Sequence, residues 1–321
     1  MIGLGLKIQV NPLINDNGLD GTSFITTWRT TTANESITIP TTGGNYNYDI
    51  STTDGQTFTG VTGSQAITFA TAGDYDVSIS GAFPRIYINN DASNKDKIID
   101  VRQWGNIVWS NFQNAFLGAI NLTGSFTDAP NIENVSYGFN FSFSDCSSFS
   151  ANLSSWDVSN VVNFHNAFLI FGSGVTPPST PVSGFGSWDM GSATTISNMF
   201  RNQSNYNDDL SSWDVSNITN MTSTFFSCAS FDQNLSSWDI SNVTNFTNFA
   251  KGTTFSTSNY DAILIGWEAT LQAAFPNGTG YTPTISINFG NSEYTGGGAA
   301  ETARTSLINN FNWTITDGGI A

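Results

Sequence analysis

Hydrophobic and polar positions follow three different rhythms along this chain. Between residues 23 and 90 they alternate at period two. Examples are Ser36-Ile-Thr-Ile39, Tyr46-Asn-Tyr48, Ala66-Ile-Thr-Phe69, Tyr75-Asp-Val-Ser-Ile79 and Ile86-Tyr-Ile88, with Gly, Asp and Pro between them. Alternation of this kind predicts short strands buried on one face, and several in succession predict a small β-sandwich. From Trp104 to Ala250 the rhythm lengthens. Leu-Ser-Ser-Trp-Asp-Val-Ser-Asn occurs at Leu153–Asn160 and Leu210–Asn217, and its Ile variant at Leu235–Asn242. Trp188, Trp213 and Trp238 are each 25 residues apart, a period that predicts a solenoid of stacked rungs. In the tail, Ile263, Leu264, Trp267 and Leu271 have helical spacing within Tyr260–Phe275, which Pro276 ends. Ala299–Phe311 predicts a second helix, and Thr284–Phe289 and Trp313–Thr316 predict strands.

With the Trp as position zero, an apolar residue recurs at position 8: Phe112, Val135, Phe164, Ile196, Met221 and Phe246. A Phe recurs at position 12, as Phe116, Phe139, Phe168, Phe200 and Phe225, ending at Ala250. Six rungs are therefore expected to start at Trp104, Thr127, Trp156, Trp188, Trp213 and Trp238. The long interval after Trp156 places a loop at Gly172–Gly184, with Pro177, Pro178 and Pro181. Asn fills position 7 as Asn111, Asn134, Asn163, Asn220 and Asn245, with Thr195 in the remaining rung. An inward Asn ladder donating its amides to turn carbonyls would satisfy backbone groups that stacking buries.

Charge changes the picture of possible partners. Only 11% of residues are charged, and the net charge is −16 with 9 Lys and Arg. Phosphate binding needs clustered cations, so nucleic acid and anionic membrane surfaces are poor partners. No run of about 18 apolar residues is present, so no membrane insertion is expected. The start, Met1-Ile-Gly-Leu-Gly-Leu-Lys-Ile-Gln-Val10, lacks the basic and apolar regions of a secretion signal. Residues 91–102, with Lys95, Asp96, Lys97, Asp100 and Arg102, form the densest charge and are expected to be a solvated junction.

Little of the sequence suggests chemistry. His165 is the single histidine, so neither a Ser-His-Asp triad nor a closed zinc site has the residues it needs. No cofactor is expected, and no catalytic residue is assigned. Cys146 and Cys228 each lie ten residues before a repeat Trp. Equivalent places in rungs about 4.8 Å apart leave them too distant for a disulfide, and two buried thiols are expected. Asp157, Asp189, Asp214 and Asp239 follow each Trp. They cap turns or bridge a cation such as calcium, for which Asp208-Asp209 is the best candidate pair. The column of Trp104, Trp156, Trp188, Trp213 and Trp238 is either stacked core or an exposed aromatic ladder for sugars.

The pattern Leu-Ser-Ser-Trp-Asp-Val-Ser-Asn-Val/Ile-Thr-Asn-Met/Phe, with Met199-Phe200 and Ser227-Cys-Ala-Ser-Phe231 between copies, resembles the BspA-type leucine-rich repeat. That repeat also occurs as a domain of unknown function in mycoplasma and other bacterial surface proteins. The likeness spans about Trp104–Ala250, and the tail resembles the segment that often follows such arrays. Phe69–Ile79, with Thr53-Asp-Gly55 upstream, resembles the closing hairpin of PKD-type immunoglobulin-like domains. These resemblances imply surface exposure, adhesion and binding, and no catalytic residues.

The expected fold is mainly β. It comprises an N-terminal attachment arm (1–22), an Ig/PKD-like β-sandwich (23–102), a leucine-rich-repeat solenoid (103–250) and a small α/β capping module (251–321). The expected function is a non-enzymatic virion-surface protein of a phage, of fibre or decoration type. Residues 1–22 would dock on other virion proteins, and the repeat face would contact a host surface protein or glycan. A homo-oligomer is expected. The alternative is a bacterial cell-surface adhesin, and a less favoured third reading is a depolymerase.

Overall fold

The computed structural model describes residues 18–135, 138–171 and 176–321. The fold is mainly β. Strands β1 (Phe24–Thr30), β2 (Glu35–Ile39), β3 (Asn47–Thr52), β4 (Thr57–Val61), β5 (Gln65–Phe69) and β6 (Gly73–Ala82) make two layers. Five of the six contain alternating buried positions, as period-two patterning requires. Ile37, Ile39, Ile67 and Phe69 of the β2–β5 pair share one core with Trp28, Tyr48, Ile50, Val77 and Ile79 of the larger sheet.

That larger sheet does not stop at a junction. Its order is β4-β3-β6-β1-β7-β8, where β7 is Ile98–Gln103 and β8 is Thr123–Gly124. The antiparallel layer therefore runs through β7 into a parallel pairing with the first rung. Residues 91–102, expected as a solvated link, mostly serve as connectors. Lys97 pairs with Glu35 and Arg102 with Asp76, while Asp100 accepts hydrogen bonds from Thr123 and Ser125. Residues 86–90 are not a strand of the sandwich. Ile88, Asn89 and Asn90 donate to the carbonyls of Ala115, Asn114 and Leu117, so stacking begins about fifteen residues before Trp104.

Of the expected arm, residues 1–17 lie outside the described residues. Residues 18–22 are fastened to the body. Asp20 accepts hydrogen bonds from the backbones of Thr22 and Ser23 and from the side chains of Ser23 and Gln103. Gly105 has φ +61, and a Cβ there would sit 2.3 Å from the Thr22 carbonyl oxygen.

In the stack, the amides at positions 8, 10, 12 and 14 of one rung donate to the carbonyls at positions 7, 9, 11 and 13 of the next. Ile196, Asn198, Phe200 and Asn202 donate in this way to Asn220, Thr222, Thr224 and Phe226. Asn163, Thr195, Asn220 and Asn245 form one column of parallel bridges. This pattern fixes each rung's register independently of sequence, and it corrects one of them. Phe139, Phe141, Phe143 and Asp145 donate to Asn163, His165, Ala167 and Leu169. Position zero of the second rung is thus Asn131, not Thr127. Phe139 sits at position 8 and Phe143 at position 12. Val135, Phe139 and Phe143 are spaced by four, so either pair imitates positions 8 and 12, and no Trp breaks the tie. The next interval, Asn131 to Trp156, is then a regular 25 residues.

The position-12 column is Phe116, Phe143, Phe168, Phe200 and Phe225, each ring stacked on the next with centroids 5.2–6.4 Å apart. The Trp column is core. Trp104, Trp156, Trp188, Trp213 and Trp238 are at most 3% exposed. Each later indole also donates to a carbonyl of the preceding rung: Trp188 to Leu153 (2.9 Å), Trp213 to Phe185 (2.7 Å) and Trp238 to Leu210 (2.9 Å). These acceptors lie three residues before the preceding Trp. Trp104 and Trp156 carry buried Nε1 atoms with no partner among the described residues.

The tail extends the stack as well as covering it. Trp267, on helix α1 (Thr257–Ala274), donates to Leu235 at 2.8 Å, repeating the indole bond from a helix. Strand β9 (Ser286–Asn288) receives the Ala250 amide on its Asn288 carbonyl, and β11 (Thr314–Thr316) pairs in parallel with β9. Strand β10 (Glu293–Tyr294), helix α2 (Ala299–Asn309) and β12 (Gly319–Ile320) complete the module, with β10 parallel to β12. Helix α1 ends at Phe275 because Pro276 follows.

Two expectations follow. Trp213→Phe removes one of the two hydrogen bonds accepted by the buried Phe185 carbonyl, the other coming from the Trp188 amide, and should destabilise by about 0.5–1.5 kcal/mol. Trp156→Phe removes an unpartnered N–H and should cost clearly less; chemical denaturation of both variants checks the difference. Burial raises the Asp20 carboxyl, but the bonds from Ser23, Thr22 and Gln103 outweigh it and bring it down to about 2. A depressed folded value gives stability that is present above the unfolded value of about 4 and lost as pH falls towards 2. After discounting for solvent screening this is about 1 kcal/mol, and Asp20→Asn should flatten that part of a melting-temperature profile.

Candidate functional site

The outward side of the stack is built by the same repeat that builds its core. Val, Ile or Met at position 2, Val, Ala or Ile at position 5 and Phe, Ile or Met at position 8 point inward, which leaves positions 1, 4 and 6 exposed. In the four rungs from Trp156 these are Asp157, Asp189, Asp214 and Asp239, then Asn160, Ser192, Asn217 and Asn242, then Val162, Thr194, Thr219 and Thr244.

These exposed side chains are tied down. Asp157, Asp189, Asp214 and Asp239 each accept the backbone amide two residues later, at 2.9–3.1 Å. The Asp column therefore caps turns. Hydrogen bonds from Ser159 and Ser216 hold the Asp157 and Asp214 carboxyls below their ordinary range. Asn217 and Asn242 donate their amides to the carbonyls of Gly191 and Ser216 in the rung before. Thr194, Thr219 and Thr244 donate to Val162, Thr194 and Thr219 at 3.2–3.3 Å. With hydroxyl and amide donors turned to the backbone, the face presents carboxylates, amide oxygens and threonine methyls.

The Asn ladder differs from the inward arrangement expected. Asn111, Asn163, Asn220 and Asn245 are half-buried or exposed, and each accepts the amide two residues later at 2.7–3.0 Å. They shape the turn of their own rung and do not donate across rungs. Asn134 is outside the ladder. In the corrected register it occupies position 3, and Gly138 holds position 7 with φ +72. A Cβ at Gly138 would lie 2.2 Å from the Asn163 carbonyl oxygen, so the neighbouring rung leaves no room for a side chain. On this face the inter-rung amide donors are Asn217 and Asn242, three residues before the ladder.

Two columns escaped the sequence reading. Position 10 has a left-handed backbone in all six rungs: Asn114, Phe141, Asn166, Asn198, Ser223 and Asn248, with φ 52–58. Asn tolerates this conformation best, and its recurrence at position 10 was a usable signal. Position 15 supplies a donor to the position-12 carbonyl of the rung before. Cys146 serves Phe116, Gln203 serves Phe168, Cys228 serves Phe200 and Thr253 serves Phe225. Four residues of three types do the same task, so no sequence identity marks it. Burial pushes both thiols well above their ordinary range, which makes them poor nucleophiles.

The remaining candidates show no built chemistry. His165 contacts Ser197 through Nδ1 and Asn166 through Nε2, and burial lowers its basicity. Ser197 is 3% exposed, so the pair offers no accessible nucleophile. Asp208 accepts the amides of Gly184 and Phe185, and Asp209 that of Ser211, so both act as caps. Among the described residues no three His, Cys, Asp or Glu side chains are grouped to hold a metal ion. None of the described helices is long and apolar enough to cross a membrane.

Comparison with known proteins agrees with where the stacking starts. A family described as "Mycoplasma protein of unknown function, DUF285" matches residues 85–172 and 176–276, more than half of the chain. The match begins where the chain first bonds to the Trp104 rung, and it breaks at the loop that buds after Phe171. No curated protein and no solved structure matches this chain. On the extent of that match and the rungs beneath it, the chain belongs to the DUF285 family of mycoplasma-type proteins of unknown function.

Proposed function

We propose that this protein is a non-enzymatic recognition module displayed on a biological surface, with the exposed face of its stacked rungs as the contact area. The observation that supports this is the fixing of that face. Threonine, asparagine and aspartate side chains at positions 6, 4 and 1 are hydrogen-bonded to backbone. A surface ordered before contact loses little side-chain entropy on binding. In this reading the stack is of the BspA leucine-rich-repeat class, the β1–β7 unit is an immunoglobulin-like spacer, and the ligand is a host surface protein or a glycan. The acidic balance of the chain argues against nucleic acid.

The carrier we propose is a phage particle, with the segment before Gly18 as the docking arm and several copies per particle. The same module on a bacterial cell surface is the second reading, favoured by the family match itself. Mass spectrometry of purified particles and of host envelope fractions separates them. Stoichiometric recovery in particles supports the first, and recovery only in envelopes overturns it.

Binding of purified protein to host cells tests the contact face. Thr219→Arg with Thr244→Arg should lower binding at least tenfold, while each variant keeps a cooperative melt. Unchanged binding would remove the face from consideration. With no grouped metal ligands among the described residues, binding should persist in EDTA; loss in chelator and recovery with calcium would restore the cation reading of the Asp column.

A further inference from the structure

The loop that interrupts the 25-residue period makes a site of its own. The Trp156 rung is seven residues longer than its neighbours. The chain rejoins the stack at Ser183, which bridges in parallel to Asn152, and its described part at 176–180 lines a groove with Ser147, Ser148 and Ser150 of the second rung. Between loop and rung lies a groove of about 650 Å³, within the roughly 300–1,000 Å³ range of small-ligand sites. Ser147, Ser148 and Ser150 form one wall, Ser179 and Thr180 the other, and Asn205 lies between. Asn205 donates to the Pro178 carbonyl at 3.1 Å and fixes the loop to the body.

Three features define what would fit. Every lining side chain is uncharged, in a protein with a net charge of −16. The hydroxyls of Ser148, Ser150, Ser179 and Thr180 have no protein partner among the described residues, whereas those of Ser212, Ser237 and Thr244 in the regular rungs donate to backbone carbonyls. Each can therefore donate and accept towards a ligand. Thirdly, the chain places aromatic surface where this loop leaves the stack. Phe171 is 57% exposed, and its ring stacks on Phe141 at 6.1 Å with 8° between planes. Its amide is held by the Asp145 carboxylate, two residues from the groove wall at Ser147. Phe141 occupies the left-handed position 10, where the other rungs carry Asn or Ser, a conformation unfavourable for a bulky residue. Strain of this kind tends to persist where a side chain has a use beyond packing.

We infer that this groove binds a neutral oligosaccharide, with its hydroxyls and Asn205 meeting the sugar hydroxyls and Phe171 covering an apolar ring face. Uncharged hydrogen-bonding groups that donate and accept, on a loop that leaves the stack at an exposed aromatic, match a polyhydroxylated ligand with apolar C–H faces. They do not match an ion. The inference rests on the recognition reading above and names the ligand class at a second place on the same stack.

The test is titration calorimetry of the full chain with neutral trisaccharides of glucose, galactose and N-acetylhexosamine, alongside a sulfated trisaccharide. At least one neutral sugar should bind and the sulfated one should not. Phe171→Ala, and Ser148→Ala with Ser150→Ala, should each lower that affinity by about tenfold, the loss of one or two hydrogen bonds or an equivalent contact, with unchanged melting temperature. Binding of no neutral sugar, or binding that survives the groove substitutions, overturns the inference. If the chain then still binds host cells, the recognition reading stands without it; if it binds neither, both fall.

Discussion

Each rung depends on a hydrogen bond that crosses to the one before it. The backbone ladder at positions 8 to 14 joins successive rungs on one side only. On the other side the indole N–H reaches from a Trp to the carbonyl three residues before the preceding Trp. Both groups are buried; the carbonyl also accepts the amide of its own rung's Trp, so the indole N–H is the group that would be left unmatched, at about 1–3 kcal/mol. The bond therefore sets the period: an inserted residue on this side would have to be looped out, as happens after Phe171. It also specifies how the array may end. The Leu235 carbonyl of the final rung accepts the Trp238 amide and receives its indole bond from a helix of the cap through Trp267.

The start of the array is handled differently. Trp104 and Trp156 find no acceptor among the described residues, because the rung before each is irregular. Aromatic packing takes over there. Trp104 contacts Phe24, Trp109, Phe126 and Trp156 with centroids 5.3–5.7 Å apart, and this cluster joins the β1–β7 unit to the stack. Together with the continuous sheet through β7 and β8, it makes the two parts share one core. A unit that shares a core with the stack holds the stack at a fixed angle to itself.

The same economy shapes the outer surface. A stack with few charges must satisfy its turns with Ser, Thr, Asn and Asp, and it uses one oxygen or amide of each for that purpose. What remains outward is regular. The groove beside the budding loop breaks that regularity, and the hydroxyls of Ser148, Ser150, Ser179 and Thr180 there are not needed by the backbone. Departures from the repeat are where side chains are free to meet something else.

The sequence by itself determined the repeat, its period, the inward positions 8 and 12, the two buried thiols and the helices of the cap, because each rests on local spacing or on a residue such as Pro276. The register of the second rung was not legible, since Val135, Phe139 and Phe143 fit two alignments when the Trp is absent. Nor were the direction of the Asn ladder, the role of residues 86–103 in the stack, or the shared donor position of Cys146, Gln203, Cys228 and Thr253. Those depend on which carbonyl of another rung comes within about 3 Å, and a partner some 25 to 35 residues away leaves no mark on the local pattern. Only the tertiary structure brings that carbonyl into reach, and so only it decides which polar side chains are occupied and which face outward.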